Sequence, residues 1–169
     1  MTAGSPEPRV LVLGLGNLLL GDDGAGLRLL ELLSGEGPRE GVEFIDGGTQ
    51  GLALMGYLER RSGVLVIDAV GLGAAPGTVH VLRGEELAMW RARAPATSHE
   101  GNALVLLETM RLLDTAPPSI VVVGIEPEVL RTGIGLSTPV ERALPEALIQ
   151  ARQALEGLLA KRQKEVFPG

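Results

Sequence analysis

The sequence predicts an α/β fold: a three-layer α/β/α sandwich with a twisted, mostly parallel sheet of about five strands, one of them antiparallel. Continuous apolar runs at residues 9–13, 64–68 and 120–124 are typical of strands buried on both faces. Leucines at helical spacing follow the first run, between residues 27 and 33. With 45% hydrophobic but only 2% aromatic residues, the core must be built from Leu, Val, Ile and Ala.

The predicted elements follow the order β-α-β-α-β-β-α-β-α. The connection before strand 78–82 is too short for a parallel crossover, which needs about a dozen residues, so this strand should be antiparallel and lie at an edge. Residues 83–98 are expected to be irregular and 125–137 to form a loop, after which Thr138 should cap the last helix with Pro139 at its first position. The strands are expected at residues 9–13, 42–46, 64–68, 78–82 and 120–124, and the helices at 23–33, 51–59, 99–113 and 138–161.

The chain has the size and charge of a single small domain. Of its 169 residues, we expect 1–8 to form a flexible tail and 9–163 one α/β domain. The net charge of -6 argues against a nucleic-acid partner, and the lack of Cys excludes disulfides, thiolate metal sites and cysteine nucleophiles. Without a signal peptide or an apolar run long enough to span a membrane, the expectation is a cytoplasmic monomer with no membrane partner.

Polar residues follow the predicted strands, where ligands bind in such sheets. The first strand leads to Asn17, Asp22 and Asp23, the second ends in Asp46, the third ends in Asp68, and Thr97, Ser98, His99 and Glu100 precede a helix. Asp23, Asp68 and His99 should therefore meet on one rim of the sheet. Such a set can hold a divalent cation or carry out general acid–base hydrolysis, and the residues alone leave both open.

Structural roles compete with these functional ones. Asp22 is expected to cap the first helix through its free amides. Asp46, followed by two glycines, is expected to form a turn, and Asn17 to brace the opening loop. His80 should point away from the core into solvent with no function. The glycines from Gly14 onward fit neither a dinucleotide fingerprint nor a P-loop, and adjacent carboxylates would repel a pyrophosphate.

Several motifs in order resemble the hydrogenase maturation endopeptidases, over about residues 9–155. The opening motif is fairly specific for this family, whereas the later motifs are short and support the resemblance mainly because their order and spacing agree with it. The motifs are Gly14-Leu-Gly-Asn-Leu-Leu-Leu-Gly-Asp-Asp-Gly-Ala-Gly26, Ile45-Asp-Gly-Gly-Thr49, Val66-Ile-Asp-Ala69, Pro76-Gly77, Ser98-His99 and Val123-Gly-Ile-Glu-Pro127.

The resemblance implies a nickel-dependent endopeptidase that removes a C-terminal extension from the large-subunit precursor of nickel–iron hydrogenases after nickel insertion. It implies that Asp23, Asp68 and His99 are both the catalytic and the metal-contacting residues, with no separate cofactor site. The nickel is supplied by the precursor, and another divalent cation can take its place in a crystal. This chain has Asn102 where many members have Gly, and Asp23 where many have Glu.

Two other functions are compatible with parts of this sequence. A peptidyl-tRNA hydrolase also begins with a Gly-x-Gly-Asn strand end, but it needs Pro-Gly after the Asn, where this chain has Leu18 and Leu19, and an early His, whereas none precedes His80. A non-catalytic module that binds or delivers nickel would use the same three side chains.

Overall fold

One five-stranded sheet organises the protein, which a computed structural model describes over residues 9–93 and 103–166. Its strands are β1 Val10–Leu15, β2 Val42–Gly48, β3 Gly63–Ala69, β4 Val79–Arg83 and β5 Ile120–Ile125. Their order in the sheet is β2-β1-β3-β5-β4, with β4 antiparallel to β5 at the edge and all other pairs parallel. The fold class and the antiparallel edge strand predicted from the sequence are confirmed.

Helices cover both faces of the sheet. The helices are α1 Ala25–Ser34, α2 Met55–Leu58, α3 Gly84–Arg93, α4 Ala103–Leu112 and α5 Thr138–Val166. Short 3₁₀ helices at Gly21–Gly24 and Gly51–Leu54 precede α1 and α2. Because successive side chains of a strand point to opposite faces, Leu65 and Ile67 of β3 pack toward α1 and α5, and Val64 and Val66 pack toward α2, α3 and α4.

The helices differ from the sequence prediction at two places. Residues 84–93, expected to be irregular, form α3, which the buried Leu87 and the partly buried Trp90 hold against the core. The last helix begins at Thr138, so Ser137 precedes it and Thr138 is not its cap. The predicted start of the 99–113 helix and the predicted tail 1–8 lie outside the described residues.

The strand order creates a switch point between β1 and β3. The chain leaves β1 for β2 on one side and returns past β1 to β3 on the other, with α1 and α2 on opposite faces. Open α/β sheets bind ligands in the crevice that forms at the carboxyl ends of two such strands. No helix within the described ranges is long and apolar enough to cross a membrane.

Candidate active site at the carboxyl ends of β1 and β3

The loop that follows β1 folds back tightly on the end of that strand. Gly16 has a φ of +136°, and a Cβ at this position would lie 2.0 Å from the Asp23 carbonyl oxygen. Asn17 braces the loop, as predicted, by accepting a hydrogen bond from the Leu19 amide at Oδ1 (2.9 Å). Only glycine at position 16 allows the Asp23 backbone to come this close to β1.

A second glycine brings this loop onto β3. A Cβ at Gly26, in the first turn of α1, would lie 2.6 Å from the Ile67 carbonyl oxygen and 2.8 Å from the Asp68 Cα. The start of α1 therefore rests directly on the last residues of β3. Asp23, just before this helix, and Asp68 are close enough for the charge of Asp23 to affect the ionisation of Asp68.

Asp68 is a buried carboxyl group with only 4% of its surface exposed. Its Oδ1 accepts a hydrogen bond from the Ala69 amide (2.8 Å), and its Oδ2 accepts one from the Ala103 amide at the start of α4 (3.2 Å). Burial raises the pKa of Asp68, the negative charge of Asp23 raises it further, and the two amides lower it, which leaves it at about 7. Asp68 thus exchanges its proton near neutral pH.

This pair of acids can bind a cation or transfer a proton. Two amide donors leave lone pairs on the Asp68 oxygens for a further ligand. Within the described part of the chain no Lys or Arg forms an ion pair with Asp68, so a bound cation would relieve the repulsion that raises its pKa. Residues 94–102, with the predicted ligand His99 and with Ser98 and Asn102, lie outside the description, and the described ranges contain no metal-binding group of three His, Asp or Glu residues.

Asp22 does not cap the first helix, and this prediction is wrong. Neither Gly21–Gly24 nor α1 has a side-chain cap. The carboxylate of Asp22 is fully buried and accepts hydrogen bonds from the amides of Glu128 (2.9 Å), Val129 (2.8 Å) and Ser137 (2.7 Å) and from the Ser137 hydroxyl (2.8 Å). Burial alone would raise the pKa of Asp22, but these donors outweigh it and hold the pKa below its ordinary value.

Glu126 is an organising residue that sequence reasoning missed. Its carboxylate, nearly buried, accepts hydrogen bonds from the amides of Leu72 (2.9 Å) and Gly73 (3.1 Å) and pairs with His80 Nε2 at 2.8 Å. Glu126 therefore fastens the loop that follows Asp68 to the end of β5. An acid at the end of an apolar run, the pattern that singled out Asp68, could have revealed it.

The prediction for His80 is wrong, whereas the prediction for Asp46 is confirmed. The His80 side chain is only 13% exposed and is paired with Glu126, so the prediction of a solvent-facing residue is wrong. It does point to the other face from Val79 and Val81, where it contacts the Glu126 carboxylate. Asp46 is exposed and accepts a hydrogen bond from the Gly48 amide (3.0 Å), which confirms its predicted turn role.

Fold and site together define a doubly wound α/β domain with an acidic site at the switch point of its sheet. The model of the hydrogenase maturation protease family matches residues 27–154. The chain is 37% identical to the hydrogenase 2 maturation protease of Escherichia coli, over 87% of this chain and 90% of that one. It is also 37% identical to the hydrogenase expression/formation protein HoxM of Azotobacter vinelandii, over 89% of this chain and 72% of the relative.

Solved structures give the same result. The hydrogenase maturating endopeptidase HybD of E. coli superimposes with a TM-score of 0.77 at 36% identity, covering 88% of this chain and 93% of that one. The chain belongs to the hydrogenase maturation protease family and is an endopeptidase of that family.

Proposed function

We propose that the protein removes the C-terminal extension from the large-subunit precursor of a nickel–iron hydrogenase after nickel has been inserted. In this proposal Asp23, Asp68 and His99 contact the nickel held in the precursor, and this contact sets the scissile peptide against the rim of the sheet. The nickel belongs to the substrate, and the protease supplies oxygen and nitrogen ligands that complete its coordination.

The observation that carries the proposal is the pair of acids at the switch point. Burial raises the pKa of Asp68, and the negative charge of Asp23 raises it further, so that this pKa is about 7. A divalent cation between two such carboxylates displaces the remaining proton and neutralises the repulsion. The site thus favours a substrate that brings its own positive charge, as a metal-loaded precursor does.

The surface around the acids supports a polypeptide substrate. Leu18 (55% exposed) and Leu19 (61% exposed) stand on the loop that leads to Asp23. Leu130 (59% exposed) and Ile134 (88% exposed) stand on the adjoining loop after β5. Neighbouring exposed apolar side chains are typical of surfaces that bind protein chains.

Cleavage of a nickel-loaded precursor by single variants tests the proposal. Asp23→Asn, Asp68→Asn and His99→Ala should each lower the cleavage rate by about 100-fold or more, since each removes a ligand or changes its charge. Asp46→Asn, which removes an exposed strand-end carboxylate, is the matched control and should cleave at the wild-type rate. Wild-type rates for the three variants would overturn the assignment of the site.

A further inference from the structure

Two loops that are far apart in sequence are joined at the candidate site. The loop after β1 and the loop between β5 and α5 share backbone hydrogen bonds from the Gly21 amide to the Gly133 carbonyl (2.9 Å), from the Gly133 amide to the Leu19 carbonyl (2.9 Å) and from the Asp22 amide to the Val129 carbonyl (2.8 Å). A Cβ at Gly21 would lie 2.7 Å from the Val129 carbonyl oxygen. The two loops therefore form a single layer beside the strand ends.

The Asp22 carboxylate is the centre of this junction. It has no exposed surface, and its hydrogen bonds go to the amides of Glu128, Val129 and Ser137 and to the Ser137 hydroxyl, all on the β5–α5 loop. A group so enclosed cannot touch a substrate. Whatever Asp22 contributes to the reaction must act through its neighbours.

The neighbour that matters is Asp23. The Asp23 carbonyl oxygen packs so closely on Gly16 that any side chain at position 16 would collide with it. This contact fixes the Asp23 backbone on the side of β1. The adjacent peptide is fixed on the other side by Asp22, whose amide and carboxylate are both bound to the β5–α5 loop. The Asp23 side chain thus leaves a backbone that is held from two directions.

We propose that Asp22 is a positioning residue for Asp23: by clamping the β5–α5 loop, its buried carboxylate holds the Asp23 carboxylate in place beside Asp68. This inference rests on the proposed function of Asp23. It also links the exposed Leu130 and Ile134 to the acids, because the loop that carries them is the one Asp22 binds.

An asparagine cannot replace the clamp. Its side chain has one acceptor oxygen, and its amide nitrogen would face a backbone N–H now bound at 2.7–2.9 Å. At least one of the donors must move away, and the segment that holds Asp23 must shift with it. Misplacement of a reacting group by about 1 Å costs about 100-fold in rate, so we expect Asp22→Asn to lose about 10- to 100-fold in kcat/KM.

The test compares Asp22→Asn with a variant that is destabilised far from the site. Leu158→Ala serves, because Leu158 packs on Gly63, at the opposite end of β3 from Asp68. Cleavage of nickel-loaded precursor is measured at a temperature where circular dichroism shows both variants folded. The Asp22 variant should show the loss, together with a changed ¹³C chemical shift of the Asp23 carboxyl carbon, while Leu158→Ala keeps the rate and the shift. Equal rates for the two variants, or an unchanged Asp23 shift, would overturn the proposal.

Milder variants decide the matter if Asp22→Asn does not fold. Ser137→Ala removes only the hydroxyl donor at 2.8 Å and should lower kcat/KM by about 3-fold. Ser34→Ala removes a hydroxyl bonded to the Glu31 carbonyl on α1 and should have no effect. No difference between these two would contradict the role of Asp22. Full activity of Asp23→Asn would instead overturn the proposed function, whereas loss in Asp23→Asn with full activity in Asp22→Asn would overturn the positioning role alone.

Discussion

Replacing Asp68 by Asn should make the stability of the protein less dependent on pH. The pKa of Asp68 rises from 3.8 to about 7 on folding, chiefly because the carboxyl group is buried and faces Asp23. The folded protein therefore binds this proton more tightly than the unfolded chain does. The resulting stabilisation is fully present below pH 3.8 and is lost as the pH rises through about 7.

The magnitude follows from the pKa difference. At 1.36 kcal/mol for each pKa unit, the wild type loses about 4 kcal/mol between pH 4 and pH 9 through this one group. Asp68→Asn lacks this loss, so its free energy of unfolding relative to the wild type should rise by about that amount over the same range. In a domain of this size this corresponds to a relative gain of about 8–16 °C in melting temperature.

Thermal and urea unfolding of both proteins from pH 4 to pH 9 measures the effect. Subtracting the free energy of unfolding of the wild type from that of the variant at each pH removes the contribution of the carboxylates that titrate in both proteins. Asp46→Asn, which removes an exposed acid, should follow the wild type across the range. A difference between Asp68→Asn and the wild type that stays flat, or that falls as the pH rises, would refute the account of Asp68.

Three further outcomes are expected. Asp23→Asn removes the negative charge that helps to raise the pKa of its buried neighbour, so the midpoint of the stability loss, measured by the same unfolding series, should move below pH 7. Glu126→Ala strands two backbone amides and should lower the free energy of unfolding by about 2–4 kcal/mol in urea titrations, against less than about 0.5 kcal/mol for the exposed Glu128→Ala. Gly16→Ala should abolish cleavage, because its Cβ would lie 2.0 Å from the Asp23 carbonyl oxygen, whereas Gly73→Ala, also at positive φ but with open space, should cost about 1–2 kcal/mol in stability and keep activity.

The fold could be predicted because its signals are local. The apolar runs of β1, β3 and β5 and the short connection before β4 each lie within a few residues, and they suffice for a parallel sheet with an antiparallel edge. Helix α3 could not be found in this way. Its contact with the core depends on Leu87 and Trp90, and the charged residues around them obscure the helical period.

The residues of the candidate site differ in the same way: some have a local signal in the sequence and others do not. The candidate residues Asp23 and Asp68 could be selected from the sequence because Asp23 lies in the loop after one apolar strand and Asp68 lies at the end of another, and such strand ends meet at one edge of a parallel sheet. The role of Asp22 could not, since its hydrogen-bond partners lie 106 to 115 residues away along the chain. The pairing of Glu126 with His80 spans 46 residues and had no local signal for the same reason.

The most direct test of the proposed function is the dependence of cleavage on nickel in the substrate. Nickel-loaded and nickel-free hydrogenase large-subunit precursors are incubated with the wild-type protein, and the new C-terminus is identified by mass spectrometry. We expect a single cut in the nickel-loaded precursor and none in the nickel-free one. Equal cleavage of the two precursors would contradict it.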